Sequence, residues 1–300
     1  MTAPAVLAAP WAARRERAET LRGRYPFARE PLALYRALVD VQEPAWSAAR
    51  LDAPGAGDLP GYVAERVLPG VIDVSAAAGP KTLAELVRSQ FAGTSVHARG
   101  EMIRRWLDGE EQTPVERYLA RASAGPVLEA LGDRAGEACG ANRVAAPPGG
   151  ERNLSCPVCG GPPQLAFIAA PPESLAAGPR SLLCARCAAS WAYPRLTCAA
   201  CGDSDTSKLT VLAEEGTDER ALSGSAVRGL RGRSDPGGPG PRFPHMRIDA
   251  CTTCSRYLLS IDLGRDPRAV PVVDELAAIP LDLHAVDRGF TKVTPNLMGA

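Results

Sequence analysis

In the first 139 residues, apolar residues recur every three or four positions, which is the period of an amphipathic helix. One clear stripe consists of Leu32, Tyr35, Leu38 and Val39. Pro44 follows this stripe and is expected to end or kink its helix, because proline lacks the amide hydrogen that a helix interior uses. The pattern predicts that residues 1–140 form an α-helical domain.

Two sequence signals in this half mark helix starts. Thr82 with Glu85, and Thr113 with Glu116, have the spacing of a capping box, in which a hydroxyl and a carboxylate satisfy the first amides of a helix. The helix that follows Thr113 is expected to end at the Gly125–Pro126 pair.

From residue 156 onward the pattern changes to short β-prone pieces separated by turn residues. Residues 141–155 are rich in glycine, proline and small residues and are predicted to be a linker. Residues 222–243 combine glycine, proline and arginine, a composition that predicts a mobile insertion. Over residues 263–300 the helical pattern returns, mainly between Pro271 and Arg288, and predicts a C-terminal helical tail.

Composition and charge narrow the class of protein. A hydrophobic content of 45% with 23% charged residues is typical of a soluble globular protein. The formal net charge is zero, so a protein built mainly to bind nucleic acid or an anionic membrane is not expected. No apolar run reaches the roughly 18 residues that cross a bilayer. The arginines near the start follow the first apolar run instead of preceding it, which predicts an N-terminal arm and not a secretory signal.

Eight of the nine cysteines lie in C-x-x-C pairs within one half of the chain. The pairs are Cys156 with Cys159, Cys184 with Cys187, Cys198 with Cys201, and Cys251 with Cys254. A C-x-x-C turn presents both sulfurs on one side of a tight loop, so two turns supply the four corners of a tetrahedral metal site. This spacing favours metal binding in a reducing compartment over disulfides and predicts a cytoplasmic protein. Cys139 stands outside the pairs and is expected to be an unpaired thiol, not a fifth ligand.

Four pairs make two sites, and the sequential grouping is favoured over the two interleaved ones. It joins the first two pairs across 24 intervening residues, close to an ordinary ribbon hairpin, and the last two across 49, which include the predicted insertion. Residues 156–197 and 198–262 are then the first and second metal modules. Four thiolates leave no open coordination position, which argues against metal-activated water. The ligand type alone does not choose between structural zinc and redox-active iron.

Other catalytic chemistry is sparse. His97, His245 and His284 lie far apart and are expected to be surface or packing residues. The chain has no G-x-S-x-G motif and no phosphate-loop lysine motif. We therefore predict no catalytic residue and no enzyme activity.

Four segments occur in a recognisable order. They are CPVCG at 156–160, LLCARCAASWAYPRLTCAACG at 182–202, RIDACTTCSRYL at 247–258 and DLGRDPRAVPVVDELAAIPLDLHAVDRGFTKVTPNLMG at 262–299. Together they resemble the FdhE family of formate dehydrogenase accessory proteins. The resemblance is close over residues 150–300 and looser over the helical half.

The resemblance implies an α+β protein with an α-helical N-terminal domain, two rubredoxin- or zinc-ribbon-like metal modules of four cysteines each, and a C-terminal helix. It also implies a cytoplasmic maturation factor that binds the catalytic subunit of a molybdenum- or tungsten-dependent formate dehydrogenase. The eight paired cysteines carry over as metal ligands. Two iron ions are the implied cofactors, with zinc as the alternative.

Two other functions stay open at this point. The first is an iron-based redox carrier that passes electrons to the client enzyme. The second is a nucleic-acid-binding zinc-ribbon protein, which would need a basic face with interleaved aromatics that residues 150–210 do not show. The favoured hypothesis predicts no nucleic-acid partner and no stable membrane association.

Overall fold

The computed structural model describes residues 10–139, 154–169, 178–214 and 241–300. Its N-terminal part is helical, as predicted. The helices are α1 (Trp11–Arg24), α2 (Arg29–Asp52), α3 (Leu59–Arg66), α4 (Leu68–Ala78), α5 (Lys81–Gln90), α6 (Val96–Asp108), α7 (Pro114–Leu131) and α8 (Ala135–Ala138). Short 3₁₀ turns lie at Pro26–Ala28 and Gly132–Arg134. The predicted N-terminal arm and most of the predicted linker and insertion fall outside the described residues.

Two prolines lie inside helices: Pro44, expected to end or kink its helix, and Pro126, expected at a helix end. Helix α2 continues through Pro44, which has no amide hydrogen to donate to the carbonyl of Asp40. Asp40 is exposed, so water can donate to this carbonyl instead. Helix α7 continues through Pro126. There the carbonyl of Ala122 accepts a hydrogen bond from the side-chain nitrogen of Gln42, 2.8 Å away. Each proline is tolerated because another donor can reach the carbonyl that it leaves unpaired.

Of the two predicted capping boxes, one is confirmed and one is wrong. The amide of Glu116 donates to the hydroxyl oxygen of Thr113 at 3.3 Å, and the amide of Thr113 donates to the Glu116 carboxylate at 2.9 Å. Thr82 lies inside α5, because the extended backbone of Pro80 sets the helix start at Lys81.

The strands of both cysteine-rich segments form one sheet. They are β1 (Pro163–Ile168), β2 (Arg180–Cys184), β3 (Ser190–Ala192), β4 (Leu209–Leu212), β5 (Met246–Cys251), β6 (Arg256–Asp262) and β7 (Thr291–Lys292). The order is β3-β2-β1-β6-β5-β4, with β7 paired to β6. Strands β1 and β6 run parallel, with Ala166 opposite Ser260, and this pairing joins the two expected modules into a continuous layer.

The sheet is covered on both faces. On one face, Ala166, Leu182 and Leu258 share a core with helices from α2 to α8. On the other face, Leu165, Phe167 and Leu259 pack with α1 and with the C-terminal helices. All six residues of β1 are buried, which is typical of a strand with a covered layer on each side.

The C-terminal tail forms α9 (Pro271–Ala277) and α10 (Ile279–Asp287), close to the predicted range. Helix α9 packs against α1, and the Nε atom of Arg17 lies 2.9 Å from the Asp274 carboxylate. His245, on the loop before β5, lies 3.1 Å from the same carboxylate. The beginning and end of the described chain are therefore joined by a buried ion pair.

Phe243, the last residue of the segment predicted to be a mobile insertion, is packed, whereas Arg242 before it is exposed and held through its main chain. Phe243 is buried in the core that contains Tyr25, with ring centroids 5.0 Å apart. The Tyr25 hydroxyl donates to the carbonyl of Arg242 at 2.7 Å. The apolar side chain and this hydrogen bond hold both residues against Tyr25, at the end of α1.

Among the residues described, no helix has both the length and the apolar character needed to cross a bilayer.

Candidate metal centres

The first cysteine group consists of Cys156, Cys159, Cys184 and Cys187. Their four sulfur atoms all lie within 4.8 Å of one another, and all four residues are buried. The Cys156 and Cys187 sulfurs are 3.7 Å apart, and those of Cys159 and Cys184 are 3.4 Å apart.

The second cysteine group consists of Cys198, Cys201, Cys251 and Cys254, whose sulfurs also lie within 4.8 Å of one another. Cys198 and Cys254 are separated by 3.7 Å between sulfurs, and Cys201 and Cys251 by 3.9 Å. Both groups follow the sequential grouping. The interleaved groupings do not occur.

The spacing of the sulfurs matches a tetrahedral thiolate site. Metal–sulfur bonds of about 2.3 Å in a regular tetrahedron place neighbouring sulfurs about 3.8 Å apart. The shortest and longest of the sulfur distances given above are 3.4 and 3.9 Å. The two groups could therefore hold two metal ions, and neither the geometry nor the thiolate ligands distinguish zinc from iron.

Each group is built from two kinds of turn. Its first pair precedes a strand: Cys156 and Cys159 come before β1, and Cys198 and Cys201 before β4. Its second pair forms a hairpin tip, between β2 and β3 in the first group and between β5 and β6 in the second. The order of turns and strands is thus repeated in the two groups.

All four turns share one backbone conformation. The residue after the second cysteine has a positive φ in each, and these residues are Gly160, Ala188, Gly202 and Ser255, with φ of 69°, 57°, 77° and 54°. Two of these residues are glycine, which adopts such a conformation without steric cost. Alanine and serine adopt this left-handed conformation at a cost of roughly 1–2 kcal/mol each.

Backbone amides point at the sulfurs. The amide of Arg186 donates to the Cys184 sulfur, and that of Ala200 to the Cys198 sulfur, each at 3.3 Å. Burial opposes ionisation of Cys251, but the amides of Cys254 and Thr253, together with neighbouring thiols, outweigh it and lower its pKa. Donors of this kind stabilise thiolates, the form of cysteine that binds metal.

The helical part of the protein covers the first group, whereas the second group is partly exposed. Helix α8 packs directly on the turn between Cys156 and Cys159, since a Cβ added at Gly136 would lie 2.2 Å from the Val158 carbonyl oxygen. In the second group, Cys201 is exposed. The two groups therefore have the same ligands in different surroundings.

Cys139, predicted to be an unpaired thiol, follows α8 and packs against the core beside the first group. Its interaction with Cys159, together with burial, raises the pKa of the Cys139 thiol. It is not one of the four sulfurs that cluster. Sequence reasoning did not place it near the site, because residues between it and Cys156 carry no pattern that fixes the distance.

A buried charge network lies behind the sheet and was not predicted. Lys292 is 3.0 Å from a carboxylate oxygen of Glu275 and 3.0 Å from one of Asp282, and all three side chains are at most 6% exposed. Burial would lower the pKa of Lys292, but the two carboxylates outweigh it and raise the pKa. The Tyr257 hydroxyl donates to Asp282 at 2.8 Å, which ties β6 to α10.

Comparisons with known proteins show what these features are similar to. Residues 240–298 match the family model described as FdhE, C-terminal domain. This part of the chain is therefore similar to an FdhE C-terminal domain. This domain includes the turn with Cys251 and Cys254, both C-terminal helices and Lys292, and it confirms the resemblance to the FdhE family.

Curated relatives align with about half of this chain. A protein FdhE homolog of Aquifex aeolicus is 31% identical over 144 residues, which are 48% of this chain and 41% of that protein. One from Pseudomonas aeruginosa is 28% identical over 149 residues, 49% of this chain and 40% of that protein. The alignments thus span about two fifths of the length of these relatives.

A solved structure extends the similarity to the whole fold. The crystal structure of the FdhE protein from Pseudomonas aeruginosa superposes with a TM-score of 0.58 and 22% sequence identity, covering 97% of this chain and 95% of that one. The helical part and both cysteine groups therefore lie within an FdhE-like fold. The predicted fold class is confirmed.

Proposed function

We propose that this chain is a cytoplasmic accessory factor in the maturation of formate dehydrogenase. In this proposal it holds two metal ions and binds the catalytic subunit of the enzyme. The observation that carries the proposal is the pair of tetrathiolate groups, within an FdhE-like fold, whose sulfur spacing suits a bound metal.

The eight proposed ligands are Cys156, Cys159, Cys184, Cys187, Cys198, Cys201, Cys251 and Cys254. Iron is the proposed metal and zinc the alternative. Iron in such a site supplies a one-electron couple, whereas zinc supplies stability alone. The chain's own contribution is to hold the thiolates at tetrahedral spacing and, at the first group, to exclude water by burying all four residues.

The metal ions also stabilise the fold in this account. A structural tetrathiolate site contributes on the order of 10 kcal/mol, comparable with the whole stability of a domain. The first group is part of the core that joins the helices to the sheet. Binding of its metal is therefore coupled to docking of these two layers. We propose no catalytic residue, because four thiolates leave no coordination position for a substrate.

The test uses protein purified without a tag or added metal. Binding to the purified catalytic subunit of formate dehydrogenase is measured before and after a chelator has removed the metal. The account predicts a specific complex that weakens when metal is removed. A catalytic subunit that does not bind the metal-loaded chain would contradict it.

One observation favours a second function, an iron-based redox carrier. Cys201 is exposed, so the second group lies at the surface, where a partner can approach a bound ion closely. If iron is bound, its thiolate-to-iron absorption should bleach on reduction and recover on addition of the oxidised client. A colourless protein with two zinc ions would rule this function out.

A further inference from the structure

A cleft of about 600 Å³ lies where three parts of the molecule meet. One wall is formed by the helices, one by the turn between Cys184 and Cys187, and one by the C-terminal segment 294–299. Large apolar side chains line it, among them Leu83, Trp106, Val115 and Leu297. An open apolar cleft of this kind is typical of a binding site for a partner or ligand.

Three arginines, Arg117, Arg121 and Arg186, line the same cleft. Each donates to a main-chain carbonyl: Arg117 to Gln112 at 3.2 Å, Arg121 to Pro295 at 2.8 Å and Arg186 to Leu107 at 3.1 Å. Within the described ranges, no carboxylate oxygen lies within 4.0 Å of any of their guanidinium groups. These bonds fix the arginines in place. Arg121 also interacts electrostatically with buried Glu275 and with Cys184, so the charges open to a ligand are those of Arg117 and Arg186.

The acidic residues of the cleft do not cancel this charge. Glu110 and Glu111 are both exposed, and the Glu110 carboxylate lies 3.5 Å from Arg105, outside the lining. Gln112 also lines the cleft, and its buried side-chain oxygen accepts no hydrogen bond from the described residues. Buried acceptors are nearly always paired, so this oxygen calls for a donor.

We propose that the cleft binds an extended segment of the client polypeptide that carries apolar side chains and at least one carboxylate. Apolar side chains match the walls, a carboxylate matches Arg117 and Arg186, and main-chain amides can pair with the Gln112 oxygen. A polypeptide offers apolar side chains, a carboxylate and main-chain amides at once, whereas a simple anion offers only the negative charge. The inference rests on the proposed function, because the segment belongs to the client.

The cleft is connected to the first cysteine group through Arg186. This residue lies between Cys184 and Cys187, and its guanidinium carbon is 6.0 Å from the centre of the Trp106 ring. A metal bound by Cys184 and Cys187 would fix the turn that carries Arg186 and so shape one wall of the proposed docking site.

The experiment compares two cleft variants with two matched controls. Val115→Glu places a charge on the apolar wall, and Arg117→Glu reverses an exposed charge. The controls are Leu51→Glu, at a side chain that is 87% exposed, and Arg134→Glu, also exposed, neither of which lines the cleft. All four changes are at exposed or half-buried positions, so metal content should stay at the wild-type value and report correct folding.

The dissociation constant of each variant is measured against the purified catalytic subunit of formate dehydrogenase. Each cleft variant should weaken binding by about tenfold or more, and each control by less than about twofold. If both cleft variants bind the catalytic subunit as tightly as the wild type does, the cleft is not the docking site, and the proposed function still stands. A wild-type chain that does not bind would overturn the proposed function, and the cleft assignment with it.

Discussion

Gln42 donates its side-chain amide to the main-chain carbonyl of Ala122, 2.8 Å away in the interior of the protein. Pro126 sits four residues after Ala122 and has no amide hydrogen for this carbonyl. The hydrogen bond therefore supplies the donor that allows α7 to continue through a proline, and it also joins α7 to α2.

Replacing Gln42 with leucine should lower the free energy of unfolding by about 1–3 kcal/mol, because the Ala122 carbonyl would be buried without a donor. The effect should be smaller in a Pro126→Ala background, where the new amide at position 126 can donate to the same carbonyl. Denaturant unfolding of the two single variants and the double variant measures this coupling. Equal effects of Gln42→Leu in both backgrounds would show that the hydrogen bond does not compensate for the proline.

The turn conformation shared by the four cysteine pairs gives a second prediction. Gly202→Ala should destabilise the protein by roughly 1–2 kcal/mol, because φ is 77° there. Ser255→Gly should do the reverse or be neutral, since it relieves the same strain but adds freedom to the unfolded chain. Gly23→Ala, in α1 with no atom within 4 Å of the added Cβ, is the control and should not destabilise. The measurement is the denaturation midpoint of each metal-loaded variant. If Gly202→Ala leaves this midpoint unchanged, the backbone at position 202 is not strained by a side chain.

The buried position of Lys292 gives a third prediction. Lys292→Met leaves Glu275 and Asp282 without their cation and should cost about 3–5 kcal/mol. Adding Glu275→Gln should recover part of the loss, because it removes one of the two unpaired charges. Lys81→Met is the control, since the Lys81 side chain is 90% exposed. If the Lys292 and Lys81 variants unfold at the same denaturant concentration, the network contributes nothing measurable.

The unequal burial of the two cysteine groups gives a fourth prediction. A competing chelator should remove metal in two phases, with the second group, which contains exposed Cys201, losing its ion about tenfold faster or more. Cys201→Ser with Cys254→Ser should abolish the fast phase and leave the slow one. Release in a single phase, or loss of the slow phase in this variant, would show that burial does not control metal release.

Much of the site could be predicted from sequence because its signals are local. The C-x-x-C spacing identifies each turn, and the number of residues between turns favours the grouping that the structure has. The capping box at Thr113 is equally local, since both partners lie within four residues. Local patterns of this kind need no knowledge of the distant chain.

The features that sequence reasoning missed depend on distant partners. The donor that keeps Pro126 inside α7 is Gln42, 80 residues before the carbonyl that it pairs. The single sheet depends on the parallel pairing of Ala166 with Ser260, which no local pattern specifies. The partners of Lys292 likewise become apparent only once α9, α10 and β7 are packed together.

The metal content per chain of the wild-type protein and three variants tests whether the two cysteine groups are two metal centres. We expect two ions in the wild type and in Cys139→Ser. We expect one ion in Cys156→Ser with Cys159→Ser, and one in Cys201→Ser with Cys254→Ser. A wild-type protein with fewer than two ions after purification under reducing conditions, or either double variant that keeps both, would contradict the account.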